Sequence, residues 1–149
     1  MRTIKAITYH IKNCGDEIKP AYEQIGLYPH KQRVEYKSPN LLGSIVNADC
    51  SLLYLLWRQL VDSYDEHCFD KATCHERFST EAQFESWARQ TSFHDEDVTW
   101  EVAIHHISGE IEKFICCGTA PVPVILEEVT QVLKARYPQL DELQEEDHR

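Results

Sequence analysis

The chain has 149 residues, of which 42% are hydrophobic and 10% aromatic, and its formal net charge is −10. This length and composition are typical of one folded domain with its own core, and they exclude a largely disordered chain. Residues 1–7 lack the apolar centre of a secretory signal and no stretch approaches the ~20 apolar residues of a membrane span, so we expect a cytoplasmic protein with six free cysteines and no membrane partner.

The first third of the chain contains a predicted strand and a predicted helix. Apolar and polar residues alternate over 3–11, which predicts a β-strand. Ile18, Tyr22 and Ile25 then follow at helical spacing, so we expect a helix over residues 16–26.

The centre of the chain contains its most apolar segment, residues 49–64. This segment is apolar on nearly all sides of a helix, which predicts a central, buried helix. Residues 33–37 before it are expected to be a short strand or an extended loop. After it, Thr80 and Gln83 form a capping box that predicts a helix over residues 80–90.

The last third of the chain predicts a hairpin and a helix. Residues 98–107 alternate between apolar and polar, Ser108-Gly109 is typical of a tight turn, and residues 110–117 are the expected return strand. A further apolar pattern predicts a helix over about residues 123–137.

Together these elements predict a single α+β domain over residues 1–138. We expect a mainly antiparallel sheet that includes the C-terminal hairpin, packed on one face against three or four helices with one central apolar helix. Residues 139–149 are expected to form an acidic, flexible tail.

Four possible metal ligands lie close together in the sequence, His67, Cys68, Cys74 and His75. Zinc prefers thiolate and imidazole ligands, so these residues could form a zinc site. The five residues between the two cysteines exceed the two to four that are usual in zinc fingers. The alternative is that all four are ordinary loop side chains, and no other cofactor is predicted.

The adjacent thiols of Cys116 and Cys117 could support a small cytosolic enzyme. A thiol beside a helix N-terminus can be a nucleophile if a histidine such as His105 or His106 acts as its base. The alternative is that strand alternation makes one cysteine a small core residue and the other a surface thiol. The chain lacks the phosphate-loop, dinucleotide-binding and nucleophile-elbow signatures.

The distribution of charge favours a binding protein over an enzyme. Residues 1–61 carry a formal charge of +3, whereas residues 62–101 carry −8 and residues 139–149 carry −4. Such a negative field attracts basic proteins and repels nucleic acid, so no direct nucleic-acid partner is expected. The alternative is that these charges only keep the protein soluble.

We therefore expect an acidic interaction or inhibitor protein that binds a basic protein partner. Immunity proteins and counter-defence proteins of phages, plasmids and other mobile elements are of this type, and a homodimer is left open. The predicted contact residues are seven acidic side chains around the helix of residues 80–90. They are Asp62, Asp65, Glu66, Asp70, Asp95, Glu96 and Asp97.

Overall fold

The computed structural model describes residues 4–12, 22–38, 41–90, 98–118 and 121–138. These residues form one seven-stranded antiparallel sheet and three α-helices, which confirms the α+β class. In chain order the elements are β1 (Ile4–Lys12), β2 (Tyr22–Tyr28), β3 (Arg33–Ser38), β4 (Leu41–Val46), α1 (Cys50–Asp65), β5 (Cys74–Phe78), α2 (Glu81–Gln90), β6 (Val98–His106), β7 (Ile111–Cys117) and α3 (Val124–Arg136).

The strands lie in the order β4-β3-β2-β1-β6-β7-β5. The first four strands form an antiparallel meander, and the predicted hairpin is confirmed as β6 and β7, which joins the meander through β1. The turn of the hairpin is closed by the Gly109 amide, which donates to the His106 carbonyl at 3.0 Å. Gly109 has a φ of 95°, a conformation that glycine adopts without strain.

The main core lies between one face of the sheet and the helices α1 and α3. Ile7, Val102 and Trp100 from the sheet and Leu56 and Leu133 from the helices are almost completely buried there. The prediction that all helices lie on one face is wrong, because α2 packs against the opposite face. The short apolar stripe of α2 contacts Phe78. The neighbouring residue on β5, Arg77, points to the core face, so by strand alternation Phe78 points away from it.

The helix predicted over residues 16–26 is wrong from Tyr22 onward, where the chain forms β2. Glu23, Ile25 and Leu27 are buried at alternate positions, which is the period of a strand. The helical spacing of two of the predicted residues was too short a pattern to outweigh pairing with both β1 and β3. Residues 16–21 lie outside the described part of the chain.

Helix α1 confirms the predicted helix but not its central position. Its N-cap residue Asp49 accepts hydrogen bonds from the amides of Ser51 and Leu52. Leu56 and its inward neighbours are buried, yet Tyr54 and Leu55 are 50% and 55% exposed. The helix therefore covers one face of the sheet and presents its other side outward.

The predicted helices near 80–90 and 123–137 are confirmed as α2 and α3, and the predicted strands at 3–11 and 33–37 as β1 and β3. The edge strands β4 and β5 were not predicted. Within the described part of the chain, strand β5 pairs only with β7 and is mostly exposed, so its polar sequence has no buried alternation. No helix within the described residues is long and apolar enough to cross a membrane.

Candidate functional site

Four of the predicted contact residues lie together where α1 ends and the following turn begins. Asp62, Asp65, Glu66 and Asp70 are all exposed, and we call them the acidic end. The other three predicted contacts, at positions 95–97, lie outside the described residues.

The acidic end lies at the helix terminus where negative charge is least favourable for folding. The backbone dipoles of a helix place a partial negative charge at its C-terminus, where basic side chains stabilise the helix. The last turn of α1 contains no basic residue and instead contains Asp62 and Asp65, with Glu66 as the C-cap. The helix dipole and the side chains therefore add to one negative potential.

The same outward side of α1 is apolar toward its N-terminus. Exposed residues recur at three- and four-residue intervals and form what we call the outer stripe. The outer stripe consists of Tyr54, Leu55, Arg58, Gln59, Asp62, Asp65 and Glu66. The amide of Asp49 donates to the Tyr137 hydroxyl at 3.0 Å, so the start of α1 lies beside the end of α3, a helix that also exposes Val132.

The four predicted zinc ligands are not brought together. His67 has a φ of 63° and its Nδ1 lies 3.1 Å from Asp70, while Cys68 is exposed beside it. Cys74 and His75 are neighbours on β5 and therefore point to opposite faces of the sheet. These four residues do not form one site in this structure, so the zinc site stays a prediction.

The predicted thiol and imidazole pair is also separated. Cys116 is buried in the core and Cys117 is partly exposed, as strand alternation predicts. Cys116 pairs with Trp100, which is six positions from His106 along β6, or roughly 20 Å. His105 points to the other face, where its Nε2 lies 3.1 Å from the Thr8 hydroxyl; burial and the nearby positive charge of Lys113 lower its pKa to about 4.

A buried carboxylate, Glu112 on β7, is the centre of a polar cluster that the sequence did not predict. Its residue is 2% exposed, and it accepts hydrogen bonds from the Tyr64 hydroxyl and from Arg77 Nη2 at 3.0 Å. The Nε2 atoms of His75 and His106 lie 3.0 Å and 2.8 Å from its two oxygens. We call these five residues the Glu112 cluster.

The Glu112 cluster connects α1, β5, β6 and β7, and it lies beneath the acidic end because Tyr64 belongs to the last turn of α1. Burial alone would raise the pKa of Glu112, but the hydrogen bonds from Tyr64, His106, His75 and Arg77 outweigh it and lower the pKa to about 2. Burial and the hydrogen bond to Glu112 raise the pKa of Tyr64 to about 12. Glu112 is therefore ionised and Tyr64 neutral at physiological pH.

Glu110 lies beside the Glu112 cluster and brings a third potential metal ligand close to His106 and Glu112. One ligand atom from each of His106, Glu110 and Glu112 lies within 4.8 Å of the other two. Arg77 lies beside them, with its Nε 3.1 Å from Glu110 and its Nη2 3.0 Å from Glu112. The only sequence signal for this cluster was Glu112 itself, an acidic residue that alternates with the core residues Phe114 and Cys116.

The opposite face of the sheet contains a cavity of about 280 Å³. Its floor is a row of small residues in register on three neighbouring strands, Ala103, Thr8 and Gly26. A Cβ atom at Gly26 would lie 2.7 Å from the Tyr28 ring, so glycine allows Tyr28 to lie against the floor. Two carboxylates and two lysines line the cavity, and their formal charges cancel.

Comparisons with protein-family models, with curated proteins and with solved structures find no match.

Proposed function

We propose that this protein is an acidic interaction or inhibitor protein that binds a basic protein partner in the cytoplasm. The observation that supports the proposal best is the placement of Asp62, Asp65 and Glu66 at the exposed C-terminal end of α1, where their charges add to the negative potential of the helix dipole. The helix dipole disfavours negative charge at this end, and exposed charges contribute little to folding stability, so we attribute their placement to binding.

The outer stripe of α1 has the composition of a protein-binding surface. Exposed aromatic residues such as Tyr54 commonly provide most of the affinity of an interface, and charges at its rim provide specificity and speed of association. Here the apolar Tyr54 and Leu55 lie about two to three turns from the acidic end on the same side of one helix. A partner with an apolar patch beside lysine or arginine side chains would match both halves.

Immunity proteins that neutralise basic toxins, and counter-defence proteins that cover nucleic-acid-binding enzymes, act through this type of complementarity. The proposed partner is therefore a basic enzyme whose own target is nucleic acid. The acidic end would compete there with phosphate groups, because both are negatively charged. A homodimer through this surface is disfavoured, since two copies of the acidic end would repel each other.

The test uses two variants with the same change in net charge. The first reverses Asp65→Lys and Glu66→Lys in the acidic end, and the control reverses Glu76→Lys and Glu85→Lys, which are exposed on β5 and α2. A pull-down with wild-type protein identifies the partner, and its affinity for all three proteins is then measured at several salt concentrations. We expect the first variant alone to lose most of its affinity and its dependence on salt.

Two outcomes would contradict the proposal. Equal affinity of the two variants would show that the position of the acidic end is irrelevant. A partner that binds equally well from ~0.05 to ~0.5 M salt would show that charge attraction is not used, because screening becomes nearly complete over this range.

Metal binding is the second candidate function, and one observation favours it. The four residues predicted to bind zinc, His67, Cys68, Cys74 and His75, do not lie at one site. The observation that favours metal binding is that His75 and His106 both direct Nε2 atoms at the Glu112 carboxylate.

A further inference from the structure

We propose that His106 and Glu112 of the Glu112 cluster, together with the neighbouring Glu110, bind one divalent transition-metal ion. The three ligand atoms lie within 4.8 Å of one another, and they come from the end of β6, the hairpin turn and the start of β7. The tight turn at Gly109 brings these segments together, so the site depends on a local and rigid part of the fold.

The separations between the atoms are a few tenths of an ångström shorter than those of ligands that share a tetrahedral ion. Two ligands at ~2.1 Å from a metal are ~3.4 Å apart at the tetrahedral angle that zinc prefers, and ~3.0 Å apart at a right angle. His106 Nε2 lies 2.8 Å from one oxygen of Glu112, and His75 Nε2 lies 3.0 Å from the other. An ion between them would require the Glu112 carboxylate and the His106 imidazole to move slightly apart, and His75, on the other oxygen of Glu112, lies outside the set of three ligand atoms.

The chemical nature of the ligands selects the type of ion. Imidazole nitrogen and carboxylate oxygen together favour zinc and the divalent ions of manganese, iron and cobalt. Magnesium and calcium prefer ligand sets that consist of oxygen alone. The burial of the cluster also favours a transition-metal ion over magnesium or calcium. Glu112 and His106 are only 2% and 9% exposed, so an ion bound there would have few coordination positions open to water.

Arg77 occupies the position of the cation in the present structure. Its guanidinium bridges Glu110 and Glu112, at 3.1 Å and 3.0 Å. The side chain is 59% exposed and lies on the edge strand β5, so it can turn outward without opening the core. Arg77 would therefore compete with a metal ion, because the guanidinium and the ion bind the same two carboxylates.

If Arg77 and a metal ion compete for the same carboxylates, removal of Arg77 should strengthen metal binding. A cluster with a purely structural role would not show this effect. Chelator-treated protein is titrated with zinc chloride and, separately, with cobalt chloride, by calorimetry and by the visible absorption of bound cobalt. We expect one ion per chain. Arg77→Gln should bind at least about tenfold more tightly than wild type, and Glu110→Gln at least about tenfold more weakly.

The controls separate this site from general effects. Glu76→Gln removes an exposed carboxylate next to Arg77 in sequence but on the other face of the sheet, and it should bind as wild type does. Circular dichroism of each metal-free variant verifies that it is folded; Glu110 lies in the turn, so its substitution should not disturb the core.

The proposal is overturned if wild-type protein and Arg77→Gln both fail to bind one ion per chain. It is also overturned if Glu110→Gln binds as tightly as wild type. Binding that is instead abolished by Cys68→Ser would assign the metal to the loop of residues 67–75 and likewise overturn it.

Discussion

At the scale of single residues, the side chain of Glu112 joins several elements of the fold. Its carboxylate accepts hydrogen bonds from α1 through Tyr64 and from β5 through Arg77, and it lies against two imidazoles. A buried charge of this kind is tolerated only because its partners surround it. Removal of the carboxylate would leave those partners without their shared acceptor.

We therefore expect Glu112→Ala to lower the free energy of unfolding by ~3–5 kcal/mol, since it breaks a buried charge network. The matched control, Glu76→Ala on the exposed edge strand β5, should change it by less than ~0.5 kcal/mol. Urea unfolding followed by tryptophan fluorescence measures both. Equal, small effects of the two substitutions would show that the Glu112 cluster does not stabilise the fold.

The low pKa of Glu112 also predicts how stability depends on pH. The folded protein holds this pKa at about 2, below the ordinary value, so the unfolded chain binds the proton first as pH falls. The stabilisation is present in full above about pH 5 and is lost progressively toward about pH 2. The free energy of unfolding of chelator-treated protein, measured at a series of pH values, should fall less steeply with acid for Glu112→Gln than for wild type. Parallel curves would contradict the low pKa of Glu112.

Single residues were predictable from the sequence only where the strand pattern decides their position. The alternation around Cys116 and Cys117 predicted one core thiol and one surface thiol, and the structure confirms it. The partners of Glu112 come from positions 64, 75, 77 and 106, which are distant in the chain. Such contacts depend on the strand order, and the edge position of β5 was not evident from its sequence.

At the scale of elements, α1 has two sides with different roles. Its inward residues fill the core, whereas Tyr54 and Leu55 remain half exposed beside the acidic end. Leu56→Ala should lower the free energy of unfolding by ~2–5 kcal/mol because it opens a cavity in the core. Leu55→Ala is the matched control and should cost much less. Urea unfolding of both proteins checks this, and a small effect at Leu56 would mean that the core lies elsewhere.

The outward side of α1 should behave in the opposite way. Tyr54→Ser should change the free energy of unfolding by less than ~0.5 kcal/mol, since the ring is half exposed. It should weaken binding of the basic partner by more than ~1 kcal/mol if the ring enters the interface. Calorimetric titration with the recovered partner measures this, and unchanged affinity would remove Tyr54 from the proposed surface.

Elements with a repeated pattern of their own were predicted well. The hairpin β6–β7 and the helices α1, α2 and α3 have long periodic stretches, turn residues or caps that fix their type. Strand β2 was mistaken for a helix because Ile18, Tyr22 and Ile25 lie at helical spacing, although only Tyr22 and Ile25 belong to the strand. Strands β4 and β5 lie at the edges of the sheet, where few side chains are buried. The side of the sheet on which α2 packs depends on Phe78, whose strand was not predicted.

At the scale of the whole molecule, the formal net charge of −10 is unevenly distributed, and part of it is concentrated at the acidic end. The acidic end places negative side chains at the negative pole of α1, and attraction of this type acts mainly on the rate of association. The rate constant for association with the basic partner is therefore the most direct test. The measurement compares wild type, the Asp65→Lys and Glu66→Lys variant, and the Glu76→Lys and Glu85→Lys control at low salt. We predict that the first variant associates at least ~10-fold more slowly than the control, whose rate stays close to that of wild type. Equal rates for the two variants would contradict the proposed role of the acidic end, because net charge alone would then explain the association.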